Sequence, residues 1–233
     1  MSFETHPQPA IDVENGYENF VPEAFKADPF DYFERYGINI KPGESKFDEQ
    51  GVIREDVSAV KYLPVWKDSN GLAIDVVAKR INPEKGRVRK ENNPFYEYKI
   101  MEILTELGLP TIKPVAKIES NGQFMIVTER AKGFNLFEIN KMIPELKAKG
   151  YTDDDLAELQ KKALQQMDDL RKVFEEAGIY KDNSEDHKDH WKIQDMIFDL
   201  DIENKQIRSI IPTDWEKTKI DEQKLAEARK TLN

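Results

Sequence analysis

Cysteine is absent from this chain of 233 residues, which excludes both disulfides and thiolate chemistry and fits a reducing compartment. Long apolar runs are missing too. No stretch approaches a membrane span, and Met1-Ser2-Phe3-Glu4-Thr5 offers neither the basic start nor the apolar core of a signal peptide. The expectation is a soluble, cytoplasmic protein, in its own cell or delivered into a host cytoplasm. A basic excess is lacking as well. The formal net charge is -10, so no face is expected to wrap nucleic acid. The one dense basic run, Lys79, Arg80, Lys85, Arg87, Arg89 and Lys90, reads by default as a solvated loop. Histidine is scarce, and His187 and His190 have no third His or Cys nearby to complete a zinc site. Neither a Gly-x-Ser-x-Gly elbow nor a Ser-His-Asp order supports hydrolysis, and nothing marks a glycosidase pair among the 45 acidic residues.

What is present is a chain with enough apolar residues, 39%, to bury a core, under a heavily charged surface. Residues 1–25 are polar and proline-bearing and read as an irregular lead-in. Asp28-Pro29 opens a short helix that Gly37 stops. Residues 38–57 carry Pro42, Gly43 and Gly51 and read as loops with room for short strands. Val57 to Trp66 and Leu72 to Lys79 form a hairpin around Asn70-Gly71, with Val77 and Lys79 on one face and Ile74, Val76 and Ala78 on the other. A loop from Asn82 to Pro94 leads to an amphipathic helix, Phe95 to Leu107, closed by Gly108. A second hairpin turns at Asn121-Gly122 and ends at Glu129.

After a connector, Leu136 to Lys149 reads as a helix interrupted near Pro144. Thr152 and Asp155 form a capping box for a long helix to Glu176, whose Leu156, Leu159, Ala163, Leu164, Met167, Leu170, Val173 and Phe174 all read as core. A polar loop spans 180–192. Strands at 196–200 and 207–211 follow, and a helix from Asp221 to Leu232 comes last.

Two stretches carry the chemistry. Val76-Val77-Ala78-Lys79 is an apolar strand ending in a cation, and Thr213-Asp214-Trp215-Glu216 leaves another strand with a carboxylate. A strand lysine for phosphates and a strand-terminal aspartate for metal are what phosphoryl transfer from a nucleotide needs. With the order of elements around them, these residues resemble the protein-kinase-like superfamily. The nearest flavour is the aminoglycoside and small-metabolite phosphotransferases and the minimal kinases of some bacteria and their viruses. The resemblance spans roughly residues 50–217.

It implies an α+β, two-lobed fold. Residues 1–37 would be an N-terminal extension with a short helix. Residues 38–130 would form an antiparallel-sheet lobe with one helix, and 131–233 a reduced, mostly helical lobe. The cofactors implied are ATP and Mg²⁺.

Lys79 then matches the phosphate-contacting lysine. Glu97 matches the helix carboxylate that pairs with it, with Glu102 as the alternative. Glu129 and Ala131, in Thr128-Glu129-Arg130-Ala131, match the segment whose backbone receives the adenine, and Asp214 matches the magnesium aspartate. Gln194 and Asp195 are further metal candidates. The loop aspartate that orients the acceptor is Asp189, in His187-Lys188-Asp189, or Asp182, in Tyr180-Lys181-Asp182. No Gly-x-Gly-x-x-Gly covers the phosphates, and 19 residues follow Asp214, too few for the usual substrate subdomain. The acceptor is therefore open between a protein partner and a small molecule. The alternative reading is a pseudokinase that serves as a protein-interaction module.

Overall fold

Asn121 and Gly122 both take positive φ, 50° and 72°. That is the geometry a two-residue hairpin needs to match the right-handed twist of its strands. The turn joins β5 (Pro114–Ser120) to β6 (Gln123–Glu129), and around it a sheet assembles. The computed structural model describes residues 9–39, 59–67, 70–81, 93–181, 191, 193–215 and 218–232. They form a mixed α and β protein with antiparallel sheets and, among the described residues, six α-helices. The chain divides into two compact units, Met1–Lys99 with Lys113–Arg130 and Ile100–Ile112 with Ala131–Asn233.

In the first unit, β1 (Ala10–Val13), β2 (Ile38–Asn39), β3 (Ala59–Lys67) and β4 (Ala73–Ile81) join the hairpin in the order β1-β5-β6-β4-β3-β2, antiparallel throughout. Alternation along β4 sorts its side chains. Val76 and Ala78 are fully buried on one face, while Val77 and Lys79 are half-buried on the other. The buried face is covered by α1 (Glu23–Ala27) and α2 (Pro29–Tyr36). Asp28 caps α2 by accepting from the Asp31 N–H at 3.0 Å, with Pro29 preset for the first helical position. Phe25 and Phe33 are completely buried, each contributing about 1.5–3 kcal/mol, and Phe25 meets Trp66 edge-on at 4.9 Å.

The N-terminal segment therefore differs from the sequence expectation. Residues 10–37 are not an extension or an irregular lead-in. They supply an edge strand and the cover of the sheet's apolar face, because Val21, Phe25 and Phe33 need that face to leave water.

Helix α3 (Tyr96–Glu106) begins in the first unit and continues in the second, where Ile100, Ile103, Leu104 and Leu107 are buried. The second unit is built on α4 (Leu136–Ala148) and α5 (Asp153–Glu176), each opened by a capping box, Asn135 with Glu138 and Thr152 with Asp155. Pro144 lies inside α4 without interrupting it, contrary to the expected break; the box at one end and buried Leu146 beyond the proline hold the helix on either side.

A three-stranded sheet orders β10 (Gln206–Pro212), β9 (Met196–Asp201) and β7 (Phe134–Asn135). It packs on α5 through Ala163, Met167, Met196, Phe198, Ile207 and Ile210. Gly133, with φ at 126°, precedes β7, and a Cβ there would lie 2.4 Å from the Phe198 carbonyl oxygen, so only glycine lets β7 reach β9. A smaller ladder pairs β8 (Ile179–Lys181) with β11 (Thr218–Ile220), and α6 (Glu222–Leu232) buries Leu225. The eight positions read as core on α5 do not all reach it. Leu164 is 51% and Val173 45% exposed, because they flank the stripe of Ala163, Met167 and Phe174 on opposite sides. No helix among the described residues is long and apolar enough to cross a membrane.

The α5 cap makes an electrostatic prediction. The Asp155 carboxylate accepts from Lys205 Nζ at 2.7 Å and from the Thr152 N–H at 2.8 Å. The Lys205 bond first, then those to Thr152, hold its pKa down at about 2, against an ordinary 3.8. A depressed folded value means the contribution is fully present above about 3.8 and is lost as the pH falls through about 2. In Lys205→Met the Asp155 titration, followed by carboxyl NMR, is expected to move back toward the ordinary value. An unmoved titration would assign the depression to the helix cap alone.

Candidate functional site

Lys79 comes to its position by strand alternation, paired across the ladders with Val60 on β3 and Ile126 on β6. From the face opposite the apolar core it meets the first turn of α3. Lys79 Nζ donates to Glu97 Oε2 at 2.5 Å, and the two side chains are only 19% and 12% exposed. The carboxylate sits where the helix dipole favours negative charge. A charge-assisted bond this short, largely shielded from water, fixes the ammonium on a rigid strand. Of the two candidate helix carboxylates, Glu97 makes this bond.

Glu129, the last residue of β6, is engaged at its side chain. Its carboxylate accepts from the Tyr17 hydroxyl at 2.6 Å, and its N–H donates to the Lys113 carbonyl at 2.9 Å. Burial first, then the bond and charge of Glu129, push the Tyr17 hydroxyl well above the usual phenol range. The Arg130 N–H donates to the Asp75 carbonyl at 2.7 Å. Ala131 opens the second unit, and its N–H has no backbone acceptor among the described residues.

In the second unit the candidate carboxylate is Asp214, just past β10. Thr213 before it is tied down on both sides. Its N–H and its hydroxyl both donate to the Asp195 carbonyl, at 2.7 and 2.9 Å, and its own carbonyl accepts from Lys181 Nζ. Trp215 after it is 1% exposed, stacked on Phe174 at 5.3 Å and edge-on to Trp191 at 6.4 Å. Lys181 completes this cluster, its ammonium 4.9 Å from the Trp215 ring centroid and 5.7 Å from that of Trp191. Between these anchors Asp214 takes φ 60°, a left-handed conformation costing about 1–2 kcal/mol that aspartate tolerates better than most residues. The carboxylate is exposed and has no hydrogen bond or ion pair among the described residues. An observed backbone outlier holding a bare carboxylate in water is the kind of strain found at functional positions.

The remaining candidates divide. Asp195 lies on a 3-10 turn, Ile193–Asp195, beside Gln194, and its carbonyl is taken twice by Thr213. Asp182, Asp189, His187 and the glycines at 43 and 51 lie outside the described residues. Among the described residues no group of three or more His, Cys, Asp or Glu converges as a self-sufficient metal cage. A lone exposed carboxylate nevertheless suits Mg²⁺, which keeps several waters and takes one or two carboxylates with phosphate oxygens rather than a full protein shell.

Three contacts were not foreseen. Tyr17 on Glu129, Glu14 on Tyr98 and Lys181 on Thr213 each involve a residue read as lead-in or loop. Glu14 and Tyr17 follow a strand of only four residues, Ala10–Val13, too short for its alternation to stand out in the sequence. No family model matches the chain, and a search of curated proteins finds no match.

Proposed function

We propose that this chain is an ATP- and Mg²⁺-dependent phosphotransferase of the protein-kinase-like kind, acting on a hydroxyl of a protein or small molecule in a cytoplasm. The observation that carries the reading is the shielded Lys79–Glu97 pair, a strand lysine held by a helix carboxylate. Phosphoryl transfer places little covalent chemistry on the protein and much positioning and charge stabilisation, and that pairing is a recurring part of it. In this reading Lys79 binds phosphate oxygens, and Glu97 keeps its ammonium from swinging away. The backbone at Glu129 and Ala131 receives the base. Asp214, with Gln194 or Asp195, holds Mg²⁺, which neutralises charge on the phosphate oxygens. Asp189 or Asp182 orients the acceptor hydroxyl.

Calorimetry with ATP, with and without Mg²⁺, tests this on the native chain, Lys79→Ala and Asp214→Ala. Binding that depends on Mg²⁺ and weakens about tenfold or more in both variants is the expected result, since one charge-assisted contact to phosphate contributes about 1.5–3 kcal/mol. No binding at millimolar nucleotide would overturn the reading. Binding without transfer to any acceptor, itself included, would favour the interaction-module alternative.

A further inference from the structure

Tyr98, the residue after Glu97, is completely buried. Its hydroxyl donates to the Glu14 carboxylate at 2.9 Å, and the Lys117 ammonium lies 5.4 Å from its ring centroid. Lys117 pairs in turn with Asp12 at 3.1 Å. The acidic partners, Asp12 and Glu14, come from one short segment pinned to the edge of the sheet. Asp12 lies opposite Lys117 in the β1–β5 register, and the Glu14 N–H donates to the Val115 carbonyl at 2.8 Å. The same segment ends at Tyr17, whose hydroxyl holds Glu129.

Neighbouring side chains on a helix leave it about 100° apart, so contacts made by two of them fix its rotation as well as its height. Glu97 touches the sheet at Lys79, and Tyr98 touches it at the β1 edge. Rolling the first turn of α3 far enough to break one contact would strain the other. We propose that the Glu14–Tyr98 hydrogen bond is a positioning contact. It holds α3 in the rotation that presents Glu97 to Lys79 and makes residues 10–17 part of the phosphate-contacting apparatus. The catalytic consequence rests on the phosphotransferase reading, whereas the geometric coupling stands without it. The plainer role, satisfying a buried hydroxyl, predicts no change at Lys79 when the bond is lost.

Trace acylation of lysines in the nucleotide-free protein, read by mass spectrometry, separates the two. Lys79 labelling is normalised to the exposed Lys162, and Glu97→Gln sets the level reached when the Glu97 carboxylate alone is neutralised. Tyr98→Phe and Glu14→Ala are expected to raise Lys79 labelling at least threefold. Glu14→Gln, which keeps an acceptor oxygen, should stay within twofold of the native protein. If Tyr98→Phe fails to fold, Glu14→Ala, at a half-buried position, carries the test. Native-like labelling in the folded variants would overturn the proposal, as would a rise shared equally by Lys162 and Lys79. Protection of Lys79 by magnesium and ATP is measured separately. If protection is absent while the coupling holds, the phosphotransferase reading fails and the positioning contact remains.

Discussion

The double replacement of Lys79 by methionine and Glu97 by leucine is expected to recover most of the stability lost in Lys79→Met alone and, under the proposed phosphotransferase reading, none of the phosphoryl transfer. Removing only the lysine strands a carboxylate that is 12% exposed. Exposed ion pairs contribute about 0–1 kcal/mol, and breaking a fully buried one costs about 3–5 kcal/mol. A pair shielded to this degree falls between, at about 2 kcal/mol. An apolar pair of similar volume leaves no charge to desolvate, so the double variant should lie within about 1 kcal/mol of the native protein. Activity follows the other logic. Under the proposed reading, losing one preorganised cation at a reacting phosphate costs about 10²–10³ in rate, whatever the stability. Urea midpoints and ATP turnover on the three proteins make the comparison. A double variant as unstable as the single one would show that the lysine is held by something other than this carboxylate.

Phe174→Ala carries the largest expected stability loss, about 3–5 kcal/mol. The ring is completely buried, stacked at 23° on Trp215 and edge-on to Trp191 at 5.3 Å. Its removal empties the space beneath the tryptophan that directly follows Asp214. The denaturation midpoint reported by tryptophan fluorescence should fall accordingly. Leu164→Ala, on the same helix, is the control. With its side chain half in water it should cost no more than about 0.5 kcal/mol. Equal losses at the two positions would contradict the burial pattern of α5.

Hairpins, caps and the long helix were legible because their signals are local. Asn121-Gly122 and the Thr152–Asp155 box each act within four residues. The pairing of Lys79 with Glu97 was expected only through the family resemblance, with Glu102 as the alternative. The sheet's edge and cover were not legible. β1 has four residues and α1 five, too few for periodicity to stand out, and they form only because the sheet they join already exists. The three-residue partners β8 and β11 are the same case. Leu164 and Val173 misled for another reason, since apolar spacing marks a broad stripe without saying how much of its width is covered. At the site, residue types near Asp214 were readable, but its backbone conformation was not. Its neighbours are fixed from elsewhere in the chain, Thr213 by Asp195 and Lys181 and Trp215 by Phe174 and Trp191.

The edge position of β1 has a consequence for synthesis on the ribosome. The Tyr17–Glu129 bond joins residues 112 apart, and β1 can dock only when β5 has emerged. At about 5–20 residues per second that interval lasts about 6–20 s. Throughout it the nascent chain holds a strand with no partner, and once β5 and β6 pair, the outer edge of β5 stays open to any other strand until β1 arrives. Closing that edge is a high-contact-order step. In this protein, escape from aggregation and completion of the sheet are one event, and a chaperone that shields the first twenty residues would act on both.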